Sequence, residues 1–415
     1  MRAERILITG LSSHWGGRLA QRLERDGRWQ AIVGIDSADP RHVLERTEFV
    51  RVGADEALVR RIVRAAQIDT IVEVRLAAEA LGTASEAELE RALAATRSLL
   101  AAIGGPGSPV RKLVFQSSAL VYGAGREDPA FFREEMVRTR PGRGALERAL
   151  VTAEELMAEF RAANPQVTVT LLRCAPAIGA EVRSPHLALL SLPIVPAILG
   201  FDPRWQFIHE EDLLGALAHA AAHELPGAYN AAADGVLALS EVASLLGKTL
   251  VPLLPPWGTV FAAVQLRRLG LGVPVELLRD LRHGRGLDNR RLKAAGYRYR
   301  YTSREAVIEL RSHQRLRPLL AAGGPSYRYE REVEEFLRWS PHVQAVGSDG
   351  PADRLGPSAG APGEDGEPTV EELLELIPSL EPDAIRLLRE HEAAAGARAQ
   401  VLAALDHQLG LRGAS

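Results

Sequence analysis

Short β-branched runs alternate with longer stretches of helical spacing over the first 175 residues. The runs are Ile6-Leu7-Ile8, Ala31 to Ile35, Phe49 to Val52, Thr70-Ile71-Val72, Leu113-Val114-Phe115 and Val167 to Leu172. Between the first two, Trp15, Leu19 and Leu23 recur every fourth residue, one face of a helix. Strands separated by helices predict βαβ units, which close into a parallel sheet covered on both faces. The expected class is therefore α/β, doubly wound, over residues 1–179.

From 180 to 312 the periodicity loosens and prolines gather (Pro252, Pro255, Pro256, Pro274), which predicts a smaller lobe interwoven with the first. A helical extension follows over 313–342. Residues 343–368 are rich in Gly, Pro, Ala, Ser and Asp and poor in large apolar side chains, the composition of a flexible linker. Over 369–409, Leu373, Leu374, Ile377, Leu380, Ile385 and Leu388 could line the inner face of a small helical module. That module either packs on itself or docks a protein partner.

Composition narrows the classes. With 415 residues, 46% apolar and 25% charged, the chain can bury a large core. A net charge of −3 argues against a nucleic-acid binder. The single cysteine, Cys174, excludes an internal disulfide framework and a cysteine zinc site, and no metal site is expected. The chain enters an apolar strand within ten residues, unlike a secretory leader. The most apolar stretch, His186 to Gly200, is short and broken by Pro193 and Pro196, so no membrane span is expected. A reducing cytoplasmic setting is the expectation. Lys112, Lys248 and Lys293 are the only lysines, which limits any lysine chemistry to three candidates.

The run Ile6 to Ala20 reads as strand, tight turn and helix start. Glycines there let the backbone approach a pyrophosphate, and the helix N-terminus holds the anion. The second strand ends at Asp36, twenty residues beyond Gly16. A carboxylate in that place accepts hydrogen bonds from ribose hydroxyls and repels a 2′-phosphate, so it favours NAD over NADP. The segment resembles the TGxxGxxG fingerprint of extended short-chain dehydrogenases/reductases of the NAD-dependent epimerase/dehydratase type. Gly10 and Gly16 fall on its first and third glycines, and Ser13 on the second. Four further landmarks follow in order: Ser117-Ser118-Ala119-Leu120-Val121-Tyr122-Gly123, Leu172-Arg173-Cys174-Ala175-Pro176 with Cys174 in a proline's place, Phe207-Ile208-His209-Glu210-Glu211-Asp212, and Tyr229 to Gly235. The resemblance covers about residues 1–312. It implies a Rossmann-type sheet with a smaller substrate lobe, bound NAD, a nucleotide-sugar ligand and a homodimer paired through helices flanking the sheet.

The resemblance also implies a tyrosine acid/base, a lysine four residues later and a serine that polarises the reacting oxygen. Ser118 matches the serine. Leu146 and Leu150 stand where the tyrosine and lysine belong, and no tyrosine in the chain has a lysine four residues on. Ala54 stands where an adenine-binding aspartate is usual, and Asp55 beside it is either a substitute for that aspartate or a helix cap. The implied cofactor positions are Gly10, Ser13, Gly16, Asp36, Ala54 and Cys174. Tyr122 is a substitute acid/base candidate, although its usual part is structural. Glu147 and Arg148 could offer a carboxylate base and a cation but are expected on a solvated helix face. Lys112 is expected to point to solvent, and His209 and Asp212 are expected in the packing of the second lobe, with a substrate contact open to His209. Arg204, Gln206, Arg282 and Arg285 are candidates for a ligand's phosphates. Two functions stay open: an NAD-dependent epimerase or dehydratase with a non-standard proton carrier, or a non-catalytic sensor or scaffold. A third outcome is a fold that has lost its ligand.

Overall fold

A computed structural model describes residues 4–77, 84–126, 128–138, 140–142, 144–254, 275–321 and 406. The chain divides into two compact units, 1–324 and 325–415. The expected linker and, but for Asp406, the expected C-terminal helices lie outside the described residues.

Seven strands form one parallel sheet: β1 (Glu4–Thr9), β2 (Trp29–Asp36), β3 (Thr47–Arg51), β4 (Thr70–Glu73), β5 (Lys112–Ser118), β6 (Thr168–Cys174) and β7 (Gly227–Ala231). Their order is β7-β6-β5-β4-β1-β2-β3, and every neighbouring pair runs parallel. This is the doubly wound Rossmann-type arrangement. The order reverses between β1 and β4, and the crevice at that point is where such sheets take ligands.

Helices cover both faces. α1 (His14–Glu24) packs with α6 (Glu210–Ala222), while α2 (Glu56–Ala65), α3 (Glu86–Ile103) and α4 (Ala145–Ala163) lie side by side. The apolar runs read from the sequence are the inner layer: Ile6, Leu7, Ile8, Ile71, Val72, Leu113, Val114 and Phe115 are all fully buried. Strands buried on both faces need no polar alternation, which is why they read as continuous apolar runs. Local signals fix the helix starts. Ser13 caps α1, Asp55 caps α2 through the Leu58 N–H, and Ser85 and Glu88 form a capping box on α3.

The second lobe is built of short pieces. Strands Phe131–Phe132, Arg204–Trp205, Leu237–Ala238 and Gly284–Leu287 make a four-stranded sheet. Around it lie α5 (Pro185–Ser191), α7 (Leu239–Leu246), α8 (Val275–Asp280), α9 (Arg290–Ala294) and α10 (Ser303–Ala321). β7 returns from this lobe into the main sheet beside β6, so the two lobes share one core. Among the described residues no helix is long and apolar enough to cross a membrane.

Candidate functional site

The turn after β1 is set by backbone geometry. Gly10 takes φ +70°, a left-handed conformation that side chains disfavour. Its N–H bonds the Ile35 carbonyl at 3.1 Å, tying the turn to β2. A Cβ on Gly16 would lie 2.2 Å from the Gly10 oxygen, so only glycine lets α1 start this close to the strand. Ser13 completes the turn. Its hydroxyl donates to the Gly10 carbonyl at 2.6 Å and accepts from the Gly16 N–H at 3.0 Å. Asp36 faces this turn from the end of β2. Its Oδ2 accepts from the Ser12 N–H at 2.9 Å and from the Ser12 hydroxyl at 2.5 Å. The Ser37 N–H donates to Oδ1 at 2.7 Å.

A cavity of about 1220 Å³ opens from this turn. Gly10, Ser13, Asp36, Gly53 and Ala54 line one end, and Glu181 to Pro185, Ala188, Leu189 and Leu277 line the other, so both lobes contribute. Its floor holds Arg75, just past the end of β4. Arg75 is clamped on the fully buried Glu73 carboxylate, with Nε 3.0 Å from Oε1, and donates to the Ala95 carbonyl at 3.2 Å. Arg41, Arg91 and Arg183 add positive charge to the walls, and Glu88 and Glu181 oppose it. Glu210, at the start of α6, stands 3.7 Å from His14 Nε2. Burial pushes its carboxyl upward, but His14, His209 and Arg18 outweigh this and hold it below the usual range.

At the β5 end the arrangement is different. Ser118 is buried and its hydroxyl accepts from the Leu120 N–H at 3.3 Å. Tyr122 is buried too. Its hydroxyl donates to Asn230 Oδ1 at 2.7 Å and accepts from Arg173 Nη1 at 3.0 Å, and its ring stacks on Phe132. Burial, only partly offset by Arg173, pushes the phenol up to about 12. Leu146 and Leu150 on α4 are 7% and 0% exposed, inside the core. Neither Ser118 nor Tyr122 is among the residues lining the cavity.

The chain matches the NAD dependent epimerase/dehydratase family over residues 6–232. An uncharacterized protein of Mycobacterium tuberculosis is 30% identical over 322 residues, 76% of this chain and 85% of that protein. The chain belongs to the NAD-dependent epimerase/dehydratase family. Solved structures agree on the fold. A UDP-glucose 4-epimerase of Thermotoga maritima with UDP-glucose gives a TM-score of 0.57 at 15% identity, covering 76% of this chain and 99% of that one. A UDP-glucose 4-epimerase of Bifidobacterium longum in complex with NAD+ and UDP gives 0.55 at 17% identity, covering 76% and 99%. A dTDP-glucose 4,6-dehydratase of Bacillus anthracis in complex with NAD gives 0.55 at 16% identity, covering 75% and 97%.

Several expectations need correction within this family frame. Lys112 does not point to solvent: it is 7% exposed, and its ammonium donates to the Ala221 carbonyl at 3.0 Å. Glu147 is not on a solvated face. It is 1% exposed and clamped between Arg138 at 2.7 Å and Arg279 at 2.6 Å. Only Arg148 is on the solvent side, with Glu86. Gln206 and Arg285 are engaged inside the second lobe, Gln206 with Ala233 and Leu287, Arg285 with Asp280 and the Ala119 carbonyl. Arg282 lies over the Phe201 ring, and Arg204 is on an exposed strand position. Cys174 is buried at the end of β6 and is not among the cavity residues, whereas Ala54 is.

His209 caps α6, its Nδ1 accepting from the Glu211 N–H at 3.2 Å. Asp212 receives the Arg300 and Tyr301 N–H groups. Sequence reasoning does not give Ser12 its hold on Asp36, and it finds Glu73 and Arg75 only as a departure from the family's fourth-strand pattern, not as an ion pair. A charged pair directly after an apolar strand of a parallel sheet was the available signal, because strand ends of this kind face the ligand crevice.

Proposed function

We propose that this chain binds NAD together with a nucleotide-sugar-like ligand and works as a sensor or scaffold, without the family's tyrosine–lysine proton transfer. One contrast carries the reading: the glycine turn closes tightly against Asp36, while Leu146 and Leu150, which the resemblance aligns with the tyrosine and lysine, are buried. The residues present fit the dinucleotide. Gly10, Ser13 and Gly16 with the first turn of α1 would receive the pyrophosphate, and Asp36 would exchange its Ser12 hydroxyl contact for ribose hydroxyls. Ala54 would leave room for the adenine without a carboxylate to read it. Cys174 would act only through packing under the site. When bound, NAD supplies a hydride acceptor, but an aliphatic side chain at 146 can take no proton from a sugar hydroxyl. Arg183 and Arg91 would meet the phosphates of a nucleotide sugar, the ligand class in the epimerase complexes above. The setting we infer is the cytoplasm, with residues 369–409 as the segment that engages a protein partner.

Calorimetric titration of ligand-stripped full chain with NAD and NADP tests this. NAD should bind at least about tenfold more tightly than NADP, and Asp36→Ala should narrow the gap. NAD-loaded protein given UDP-glucose should form neither NADH nor an epimer. Equal affinities, or turnover, would overturn the reading.

One cluster favours a second reading. Buried Asp280 bonds His186 Nε2 at 3.2 Å and pairs with Arg285, whose Nη1 donates at 3.1 Å to the carbonyl of Ala119, next to Ser118. An imidazole oriented by a buried carboxylate is a competent base. On this reading UDP-sugar turnover exists and His186→Gln abolishes it while NAD affinity is kept.

A further inference from the structure

Three residues from distant parts of the chain meet at the cavity wall in a role the dinucleotide does not require. His14 opens α1, His42 lies between β2 and β3, and Glu181 follows the short strand Ala177–Ile178. One ring nitrogen from each histidine and one Glu181 oxygen lie within 4.8 Å of one another. The two imidazole centroids are 5.8 Å apart and the rings are tilted by 55°. The fold makes room for this approach: a Cβ on Gly17 would sit 2.3 Å from His42 Nδ1. His14 Nε2 and Glu210 Oε2, both buried, face each other at 3.7 Å.

Two imidazoles and a carboxylate are the donor set that suits a borderline divalent cation of the zinc class. Imidazoles this close can each direct a nitrogen lone pair at one shared cation. The positive end of α1 opposes a cation here. Two carboxylates offset it: Glu181 within the cluster, and Glu210 beside His14, in the place of the outer carboxylate that orients metal-bound histidines. Arg18 does not block Glu181. Its closer partner is Glu211 at 3.2 Å, against 4.0 Å to Glu181, whose side chain is 60% exposed.

We propose that His14, His42 and Glu181 bind one divalent cation of the zinc class, leaving its remaining coordination positions open to water or to a phosphate oxygen in the cavity. The test uses chelator-stripped full chain titrated with Zn2+ by calorimetry and with Co2+ by visible absorption. One ion per chain is expected, with the d–d bands of a low-symmetry cobalt site. His14→Phe, His42→Ala and Glu181→Gln should each weaken uptake by about tenfold or more. His313→Ala, a histidine remote in sequence and paired with Glu309, should leave it unchanged. No saturable uptake, or uptake that the three variants share with wild type, overturns the site. Glu181 is exposed, so Glu181→Gln keeps the test valid if a histidine variant misfolds. NAD titration of Glu181→Gln separates failure of this site from failure of the dinucleotide reading.

Discussion

The two ends of the crevice differ in what defines them. Beside β1 and β2 the site is made by backbone: a left-handed Gly10, an approach at Gly16 that excludes any side chain, and N–H groups at the start of α1. Beside β5 and α4 a family site is made by side chains, and on the reading proposed above those positions fall on the buried Leu146 and Leu150. A backbone site cannot be lost without refolding the turn that the sheet needs anyway. A side-chain site can be exchanged for apolar packing at a gain in buried area, since each buried leucine contributes roughly 1.5–3 kcal/mol. The fold therefore protects the first end and not the second.

The largest effect should come from breaking the backbone end. Gly16→Val places a side chain on the Gly10 carbonyl and forces the turn open. The expected result is loss of detectable NAD binding and a stability loss of roughly 3 kcal/mol or more, read by denaturant unfolding. A variant that keeps NAD affinity would show that the turn does not define the site.

The next test tries to rebuild the other end. Leu146→Tyr with Leu150→Lys restores the family pair in sequence, but Leu150 is 0% exposed, and an ammonium there meets a dry core. The double variant should lose about 3 kcal/mol and gain no epimerase turnover. Turnover at unchanged stability would mean that the leucines are the sole defect and the surrounding site is still catalytic.

Much of this contrast could be read before the structure. The parallel sheet and the glycine turn are local patterns, and local patterns survive in sequence. Glu147 and Lys112 were misread for the opposite reason. Their burial depends on Arg279 in α8 and on the Ala221 carbonyl at the end of α6, partners more than a hundred residues away. Charge alone suggests solvent, and only the tertiary pairing reverses that. Ser12 was missed because its side chain acts on a carboxylate that the motif assigns to a ligand.

Tyr122 sharpens the comparison by pH. Burial raises its folded value to about 12. The unfolded phenol ionises near 10, so the raised value contributes stability that is fully present below about pH 10 and lost by about pH 12. The contribution is on the order of 2–3 kcal/mol. Tyr122→Phe should flatten the alkaline fall in stability relative to wild type, with Tyr297 and Tyr299 supplying the slope that remains. An unchanged alkaline profile would mean that the phenol ionises readily in the folded chain, which would return it to the list of proton carriers.

The smallest effect tests what is left of the polar end. Gln116 lies in β5, 1% exposed, and both its Nε2 and Oε1 lack a hydrogen-bond partner in the protein. A buried amide in that state costs about 1–3 kcal/mol, and methionine has nearly the same length without the polar atoms. Gln116→Met should therefore stabilise the chain by about 1 kcal/mol, a rise of about 2 °C in midpoint, with NAD affinity unchanged. If it destabilises instead, the amide has a partner that matters, such as an ordered water. If it weakens NAD binding, the partner belongs to the ligand. That last result would erase the difference between the two ends, because β5 would then still serve the site through a side chain.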